Sequence, residues 1–369
     1  MIPFNKPYTT PDALTYISQA TQQGKLSGNG TFNQKCCTLL KEYLDCSEVL
    51  LTPSCTHALE MCALLLDIQP GDEVILPSYA FVSLANAFEL RGAKLVFVDV
   101  EEGIPNISLR KIEKAINKRT RAILFIHYAG VSADLTALKS ISDQYQITLI
   151  EDAAHALGAS FQNKKLGTFG HLATFSFHET KNIQCGEGGA LIINDEQYLS
   201  QAHIIWEKGT NRVDFFDKKV NKYEWLSLGS SYLLSELSAA YLYSQLLCLE
   251  EINHSRMLKW RRYDEKLILG AKVKRVINHY DHNAHMFSLV FESSGLAEEF
   301  VSYAVKNDFL AVTHYEPLHL STYWLSKSAK ESLPNTERIS KTLVRLPLYR
   351  DLTKDEQNYI INCVNKFCQ

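Results

Sequence analysis

Two residues that could hold an aldehyde cofactor stand at the ends of apolar segments. Asp152 ends the apolar run 148–152, and Lys181 follows the apolar run 173–177. A lysine with a lowered pKa can form a Schiff base, and a carboxylate at a strand end can pair with a protonated ring nitrogen. The ordinary alternatives are an aspartate that caps the next helix and a lysine that is solvated.

A phosphate site is indicated by residues 52–58, where an apolar run gives way to a small polar turn containing Ser54 and Thr56. Backbone N–H groups and hydroxyls at a helix N terminus bind phosphate without the help of a lysine. Phe81 follows another apolar run and offers a face for a flat ring. The alternatives here are plain helix capping and a core phenylalanine, which is the commoner fate of this residue type.

Together these segments contain the parts that a pyridoxal phosphate enzyme requires, namely a phosphate cradle, an aromatic ring, an acid and a Schiff-base lysine. Competing motifs are incomplete. Residues 178–182 begin like a zinc-protease helix, but Asn182 stands where the second histidine is needed. The sequence has no CxxC pair and no GxxxxGK[ST] loop. We therefore expect no metal site.

Strand-like and helix-like segments alternate through the first half of the chain, which predicts a mostly parallel sheet covered by helices on both faces. A long helical stretch is expected over about residues 232–269, and the segments after it predict a small α+β domain. We therefore expect a large cofactor-binding domain, residues 1–255, and a small C-terminal domain, residues 256–369. The expected strands are residues 49–52, 74–77, 94–100, 122–128, 148–152, 173–177, 189–194, 286–291 and 309–314. The expected helices, besides the long stretch, are residues 58–66, 109–117, 135–145, 297–307 and 352–367.

The composition argues against several classes of protein. Of the 369 residues, 46% are hydrophobic and 21% are charged, as in ordinary soluble globular proteins, and the net charge is −3. Without a basic surplus we expect no nucleic-acid partner, and without an apolar run near the roughly 20 residues that span a bilayer we expect no membrane partner. Nine cysteines, an odd number, and the lack of a secretory signal predict free thiols and a cytoplasmic location.

Over nearly its whole length the chain resembles the DegT/DnrJ/EryC1/StrS family of sugar aminotransferases, most specifically in residues 151–156 and 175–189. The resemblance implies an α/β fold of the aspartate aminotransferase kind, called fold type I. It also implies pyridoxal 5′-phosphate as the cofactor and a homodimer whose subunits share their active sites. The site residues that it implies are Lys181 for the Schiff base, Asp152 for the ring nitrogen, Phe81 over the ring, His155 near the cofactor's hydroxyl, and Thr56, His57 and Ser176 around the phosphate.

Within the family the resemblance is strongest to members that aminate a nucleotide-linked keto sugar at C4. It implies dTDP-4-keto-6-deoxy-D-glucose and L-glutamate as substrates and a dTDP-4-amino-4,6-dideoxyhexose as product, destined for O-antigen or enterobacterial common antigen. Ser231 stands where many members have an asparagine that reaches the phosphate of the neighbouring subunit. Candidates for substrate contacts are Lys208, Asn211 and Arg212 on the nucleotide side and His314, Tyr315 and His319 on the sugar side.

Several alternatives stay open at this point. The new amine can be axial or equatorial, giving a galacto or a gluco product, and a 3-keto sugar can replace the 4-keto sugar. A regulatory protein that kept the fold without catalysis is another alternative, although the presence of Lys181 and Asp152 argues against it. A dehydratase of the same fold would carry histidine in place of Lys181.

Overall fold

The computed structural model describes residues 1–216, 218–276 and 281–369, and its larger part is built on one twisted sheet. The seven strands of that sheet are β1 (Glu48–Thr52), β2 (Glu73–Pro77), β3 (Lys94–Val98), β4 (Thr120–Ile126), β5 (Thr148–Asp152), β8 (Leu172–Ser176) and β9 (Gly189–Ile193). Their order is β1-β9-β8-β5-β4-β2-β3. Only β9 runs against its neighbours, so the predicted mostly parallel sheet is confirmed. Between β5 and β8 lies a small hairpin of β6 (Ser160–Phe161) and β7 (Lys164–Lys165).

Helices cover both faces of this sheet because its strands are apolar on both sides. Successive residues of a strand face opposite ways, so Leu50 belongs to one hydrophobic cluster and Leu51 to the other. The same division separates Leu149 from Ile150 in β5. The helices of this part are α1 (Ala13–Gln22), α2 (Thr31–Leu44), α3 (Cys55–Leu65), α4 (Val82–Glu89), α5 (Leu109–Ala115), α6 (Leu135–Tyr145), α7 (Leu199–Trp206) and α8 (Arg212–Phe216).

The long helical stretch expected over residues 232–269 is two helices, so that expectation was wrong. They are α9 (Glu236–Leu247) and α10 (Leu249–Lys266), and they meet at Cys248, whose ψ of 11° is not helical. The break lets the two helices pack against different cores. Ala239 of α9 is buried in the large core, whereas Tyr263 of α10 is buried in the small C-terminal core. The apolar pattern alone does not separate these faces.

The C-terminal part has an antiparallel sheet with a hydrophobic core of its own. Its strands are β10 (Val273–Arg275), β11 (Phe287–Phe291), β12 (Val312–Thr313) and β13 (Leu343–Leu346), in the order β10-β11-β13-β12. Its helices are α11 (Ser294–Lys306), α12 (Thr322–Leu325), α13 (Pro334–Thr342) and α14 (Lys354–Cys368). The expected small α+β domain is therefore present, and the expected strand 309–314 is shorter than predicted. The predicted boundary after residue 255 falls inside α10 and stays a prediction. In the part of the chain that is described, no helix is long and apolar enough to cross a membrane.

The first residues of the chain lie against the C-terminal part. The Ile2 amide donates to the carbonyl of Asp308 at 2.6 Å, and the Leu310 amide donates to the carbonyl of Ile2 at 3.0 Å. Two residues further on, the carbonyl of Phe4 accepts a hydrogen bond of 3.4 Å from the amide of Leu348. This N-terminal segment, residues 2–5, therefore crosses from one part of the molecule to the other and ends beside the site described next.

Candidate active site

A cavity of about 750 Å³ lies at the carboxyl ends of the parallel strands, where ligands bind in open α/β sheets. Three parts of the chain form its wall. Asp152 and Ser176 end β5 and β8, the first turn of α3 adds Thr56, and the C-terminal part adds residues around β12 and β13. Of the residues implied for catalysis, cofactor or substrate, those that line the cavity are Thr56, Phe81, Asp152, His155, Ser176, Lys181, His314 and Tyr315.

Asp152 and Lys181 share this cavity, as the sequence predicts. Only 9% of Asp152 is exposed, and its Oδ1 accepts a hydrogen bond of 3.0 Å from the Ala154 amide. Burial raises the pKa of Asp152, while the Ala154 amide and the Lys181 charge act in the opposite direction. Burial likewise lowers the pKa of Lys181, and the Asp152 charge opposes that change. The cavity thus holds an acid beside an amine that loses its proton more readily than a solvated lysine.

The other carboxylate at the end of β5, Glu151, faces away from the cavity. It accepts hydrogen bonds from the amides of Gly167 at 2.8 Å and Gly170 at 2.6 Å, and it bonds to His127 Nε2 at 2.7 Å. Both side chains of the His127–Glu151 pair are fully buried. Glu151 therefore fixes the loop before β8 and leaves Asp152 as the strand-end carboxylate in the cavity.

The loop that carries Lys181 is anchored by the next residue, Asn182. Its side-chain amide donates to Asn253 Oδ1 at 2.9 Å and to the Asn283 carbonyl at 2.8 Å. Its Oδ1 lies 3.0 Å from Nδ1 of His285, which also lines the cavity. The sequence reasoning used Asn182 only to exclude a zinc motif and did not recognise this role.

The N terminus of α3 has the features of a phosphate cradle. Ser54 caps the helix by accepting a hydrogen bond of 3.2 Å from the His57 amide, and the hydroxyls of Ser54, Thr56, Ser83 and Ser176 all line the cavity. A Cβ on Gly189 would lie 2.4 Å from the Cys55 nitrogen, so only glycine lets β9 pass this close to the helix start. Helix N–H groups together with hydroxyls are what a phosphate ester needs, so these residues fit the phosphate of the cofactor.

His57 itself stands behind this cradle. Its Nδ1 bonds to Ser54 Oγ at 2.9 Å, and its ring packs edge-on against Tyr232 with the centroids 5.6 Å apart. His57 does not line the cavity, so its place is to hold Ser54, and a direct phosphate contact stays a prediction. Phe81, the N-cap residue of α4, is 59% exposed at the cavity and lies 6.3 Å from the Tyr315 ring.

Stacked histidines form another part of the cavity wall. The rings of His155 and His285 stack at 4.4 Å with an interplanar angle of 24°, and His314 lies 6.2 Å from His155. Burial lowers the pKa of all three, to about 2 for His314. These rings are therefore neutral near pH 7. His155 Nδ1 is buried without a hydrogen-bond partner among the described residues, as expected of a group that awaits a ligand. Tyr128, which no sequence pattern pointed to, bonds to His314 Nδ1 at 2.9 Å.

The residues predicted for the nucleotide lie together in another place. Glu207 pairs with Ser231 in an isolated β-bridge and forms ion pairs with Lys208 at 3.1 Å and Arg212 at 3.7 Å. Asn211 accepts a hydrogen bond of 2.8 Å from the Glu224 amide. None of the four predicted residues in this group lines the cavity of its own chain. Their contacts with nucleotide or with a neighbouring subunit's phosphate stay predictions.

His319, predicted for the sugar side, is buried outside the cavity. Its Nδ1 lies 2.6 Å from Ser78 Oγ, and its Nε2 lies 3.5 Å from Glu337. Both ring nitrogens already have partners, so in this structure His319 joins the end of β2 to α13 and does not meet a ligand. Arg345, which the sequence reasoning did not single out, does line the cavity from β13.

Comparison with known proteins gives one consistent result. The model of the DegT/DnrJ/EryC1/StrS aminotransferase family matches residues 7–365. PseC of Helicobacter pylori, an aminotransferase involved in the biosynthesis of pseudoaminic acid, has 24% identity and a TM-score of 0.91, with 99% of this chain and 98% of that chain covered. DesV of S. venezuelae has 27% identity and a TM-score of 0.89, and the match covers 97% of this chain and 94% of DesV. The PLP form of Spr1654 from Streptococcus pneumoniae, which is described as a putative sugar aminotransferase, has 22% identity and a TM-score of 0.91. The match covers 100% of this chain and 98% of Spr1654.

The family match covers nearly the whole chain, and the cavity contains residues that suit each part of the cofactor. The chain belongs to the DegT/DnrJ/EryC1/StrS aminotransferase family and is a fold type I aminotransferase whose cofactor is pyridoxal 5′-phosphate.

Proposed function

We propose that this aminotransferase moves the amino group of L-glutamate to C4 of dTDP-4-keto-6-deoxy-D-glucose and so makes a dTDP-4-amino-4,6-dideoxyhexose. The observation that carries the proposal is the presence of both Lys181 and Asp152 in the wall of a cavity of about 750 Å³. This volume lies in the upper part of the range for small-molecule sites, which suits a cofactor together with a sugar.

Pyridoxal 5′-phosphate, when bound, supplies an aldehyde that exchanges amino groups and a ring that withdraws electrons from the substrate carbon. Lys181 provides the amine that holds the cofactor between reactions. With the cofactor bound, the Nζ of Lys181 would take the proton from the substrate carbon as a general base and later give it up as a general acid. The lowered pKa of Lys181 suits both roles because the unprotonated amine is the reactive form. The Asp152 carboxylate would keep the ring nitrogen of the cofactor protonated, and the hydroxyls of Thr56 and Ser176, which line the same cavity, would bind its phosphate.

A sugar as acceptor is supported by the chemistry of the part of the cavity wall that contains the stacked histidines. Neutral His314 and the hydroxyl of Tyr315 line the cavity and offer hydrogen bonds to an uncharged, hydroxylated ring. The names of PseC and Spr1654, which describe sugar-related aminotransferases, support the same substrate class. A galacto product, a gluco product and a 3-keto acceptor are all compatible with this wall, and the galacto form is our first choice from the sequence resemblance.

A homodimer is supported by apolar side chains that are exposed close to Ser231 in the chain. Trp225 is 78% exposed, Leu228 is 60% exposed and Phe216 is 55% exposed. Exposed apolar surface of this kind marks contact sites, and a second copy of the chain is the partner that would also bring Ser231 to the neighbouring phosphate cradle. The nine free cysteines accord with work in the reducing cytoplasm.

The test is incubation of the protein with pyridoxal 5′-phosphate, L-glutamate and dTDP-4-keto-6-deoxyglucose, followed by NMR of the sugar product. We expect an amino group at C4 and an equimolar amount of 2-oxoglutarate. Lys181→Ala is the matched control, which should give neither product. If the absorbance spectrum of the protein with bound pyridoxal 5′-phosphate does not change when L-glutamate is added, the result would favour a non-catalytic regulatory protein over an aminotransferase.

A further inference from the structure

His285 is a cavity residue whose backbone and ring are both held from several sides. Its amide donates to Asn283 Oδ1 at 3.2 Å, and its carbonyl accepts a hydrogen bond of 2.7 Å from Arg256. The ring stacks on His155 with the centroids 4.4 Å apart, and its Nδ1 lies 3.0 Å from Asn182 Oδ1. The position of His285 is therefore fixed by the protein itself.

The tautomer of His285 follows from a chain of amide groups in which each acceptor is known. The Leu157 carbonyl can only accept, and the Asn253 amide donates to it through Nδ2 at 3.1 Å, so Asn253 Oδ1 faces the other way. Asn182 donates to that oxygen at 2.9 Å and to the Asn283 carbonyl at 2.8 Å. Both hydrogens of its amide are then used, and its Oδ1 accepts from His285 Nδ1. In the neutral ring Nδ1 carries the hydrogen, and Nε2 is an unprotonated acceptor.

The ring of His285 stays neutral near pH 7. Burial lowers its pKa well below the ordinary value, and among the charged groups Lys181 adds most to this effect, followed by Arg256 and Arg345. Among the described residues no partner is assigned to Nε2, which belongs to a ring that lines the cavity. The protein thus presents a lone pair to the cavity, and the group that meets it must be a hydrogen-bond donor.

Lys181 is the donor that suits this lone pair. The carboxylates of the amino donor and the phosphate of the cofactor are anions, which a lone pair repels. The Lys181 amine lies in the same cavity, its residue directly precedes Asn182 in the chain, and its charge affects the pKa of His285 more than any other charge does. Its Nζ has no hydrogen-bond partner among the described residues, so its hydrogens are available.

We propose that Nε2 of His285 accepts a hydrogen bond from Nζ of Lys181 whenever that amine is not bonded to the cofactor, which makes His285 a positioning residue for the reacting amine. The inference rests on the proposed function, in which the amino donor displaces Lys181. A displaced lysine is a charge on a flexible stem, and a fixed acceptor keeps it near the atoms between which it moves a proton. Asn182 acts through His285, because its Oδ1 fixes the tautomer that leaves Nε2 free.

The test measures the pKa of Lys181 in the cofactor-free protein, so it involves neither the cofactor nor a sugar. Competitive labelling with acetic anhydride over a range of pH, followed by mass spectrometry of the peptides, gives this value, with exposed Lys118 as the internal reference. His285→Asn keeps a donor near Asn182 but has no group in the place of Nε2. It should lower the pKa of Lys181 by about one pH unit, because a hydrogen bond to the charged form is lost.

Two further variants separate this role from a purely structural one. His285→Phe keeps a ring to stack on His155 but loses both nitrogens, so it should lower the pKa of Lys181 as His285→Asn does. His282→Gln is the matched control and should leave Lys181 unchanged. His282 lies in the same segment but outside the cavity wall, and burial lowers its pKa to about 4, so it too is a neutral histidine.

The same change should appear in the pH profile of the reaction. In single turnovers of the pyridoxamine phosphate form with 2-oxoglutarate, Lys181 acts as the base, so the pH of half-maximal rate should fall by about one pH unit in His285→Asn. A variant that only loosened the site would lower the rate at every pH without moving the profile. In the wild type, ¹⁵N NMR of labelled histidines should show an unprotonated Nε2 in His285, and Lys181→Ala should shift that resonance.

An unchanged pKa of Lys181 in folded His285→Asn and His285→Phe overturns the inference, as does a wild-type Nε2 resonance that ignores Lys181→Ala. If the pKa is unchanged while binding of dTDP-6-deoxy-D-glucose weakens about tenfold, Nε2 accepts a sugar hydroxyl instead. Each of these results leaves amination of the sugar by the wild type intact. Conversely, a lowered pKa of Lys181 in the variants, found together with a wild type that does not aminate the sugar, would support the inference and refute the proposed acceptor.

Discussion

The side chain of Asn182 donates to Asn253 Oδ1 at 2.9 Å and so links the residue after Lys181 to the buried face of α10. The same amide also reaches the Asn283 carbonyl and His285. One side chain therefore connects the Lys181 loop, the helix that leads to the small domain and the segment before β11. The position of Lys181 in the cavity depends on this junction.

Asn182→Ala should lower both stability and turnover. It leaves three buried polar groups without a partner, which costs about 1–3 kcal/mol of unfolding free energy for each group that water cannot reach. The looser Lys181 loop should slow turnover about tenfold, because small displacements of a catalytic group are costly. Urea unfolding and kcat measure the two effects. The control is Asn365→Ala, whose hydrogen bonds to the Lys266 carbonyl and the Ile268 amide lie at the surface. If Asn182→Ala and Asn365→Ala changed stability and kcat equally, the hydrogen bonds of Asn182 would have no special role in holding the Lys181 loop.

Lys181→Ala should abolish covalent attachment of the cofactor and lower turnover by several orders of magnitude. Acid–base help alone contributes roughly 10² to 10⁴ in rate, and the displaceable amine is lost as well. Pyridoxamine phosphate should still bind, because the cradle, Asp152 and Phe81 remain. Borohydride reduction and peptide mapping of the wild type should mark Lys181, with exposed Lys118→Ala as the control for activity. A label on any other lysine would refute the assignment.

Asp152→Asn should keep part of its cofactor but lose most of its activity. An amide cannot stabilise a positively charged ring nitrogen, so the ring becomes a poorer electron sink. Cofactor content by absorbance and kcat with L-glutamate are the measurements. Asp143→Asn, at an exposed site on α6, is the control. If Asp152→Asn turned over at nearly the wild-type rate, another group would have to hold the ring nitrogen.

Stability of the cofactor-free protein should fall as the pH drops below about 6.5. The pKa of His314 is about 2 in the folded protein, and the pKa values of His155 and His285 are also lowered, so the unfolded chain binds more protons in this interval. The unfolding free energy therefore rises with pH up to the ordinary histidine range, by at most about 1.4 kcal/mol per pH unit for each ring. Urea titrations at pH 5, 6 and 7 measure the slope.

His314→Gln removes one of these rings and should make that slope shallower. Glutamine can still bond to Tyr128, so the comparison isolates the titration from the loss of the contact. His254→Gln, on the exposed side of α10, is the matched control. An unchanged slope in His314→Gln would show that this ring takes up its proton without unfolding of the protein.

Trp225→Glu should convert the proposed homodimer to monomers if the exposed apolar side chains around it form the subunit contact. A charge in the middle of an apolar interface is left without a partner, which disfavours association. Sedimentation velocity measures the change, and activity should fall with it because Ser231 would no longer reach its neighbour. Ile268→Glu, at an apolar residue just after the end of α10 that is 66% exposed, is the control. An active monomeric wild type would refute the shared site.

The sequence predicted the parts of the site that are encoded locally. Asp152 and Ser176 end apolar strands, and Thr56 lies in the first turn of a helix, so short patterns pointed to each of them. Arg345 and His285 have no such signal, because their role depends on how the C-terminal part packs over the sheet. The break at Cys248 was not predicted for the same reason. Residues of α9 pack into the large core and residues of α10 pack into the small C-terminal core, and the local apolar pattern does not show this difference.

The edge strand β1 also has a consequence for synthesis of the chain on the ribosome. Among the strands of the described residues, its one neighbour in the sheet is β9, so the apolar residues 49–52 have no such strand to pair with until residue 193 has been made. At about 5–20 residues per second, this interval lasts on the order of ten seconds. During that time an unpaired apolar strand is exposed, and unpaired strands of this kind associate with other chains. Slow translation of the first half should therefore lower the yield of folded protein, and chaperones that bind extended apolar segments should raise it.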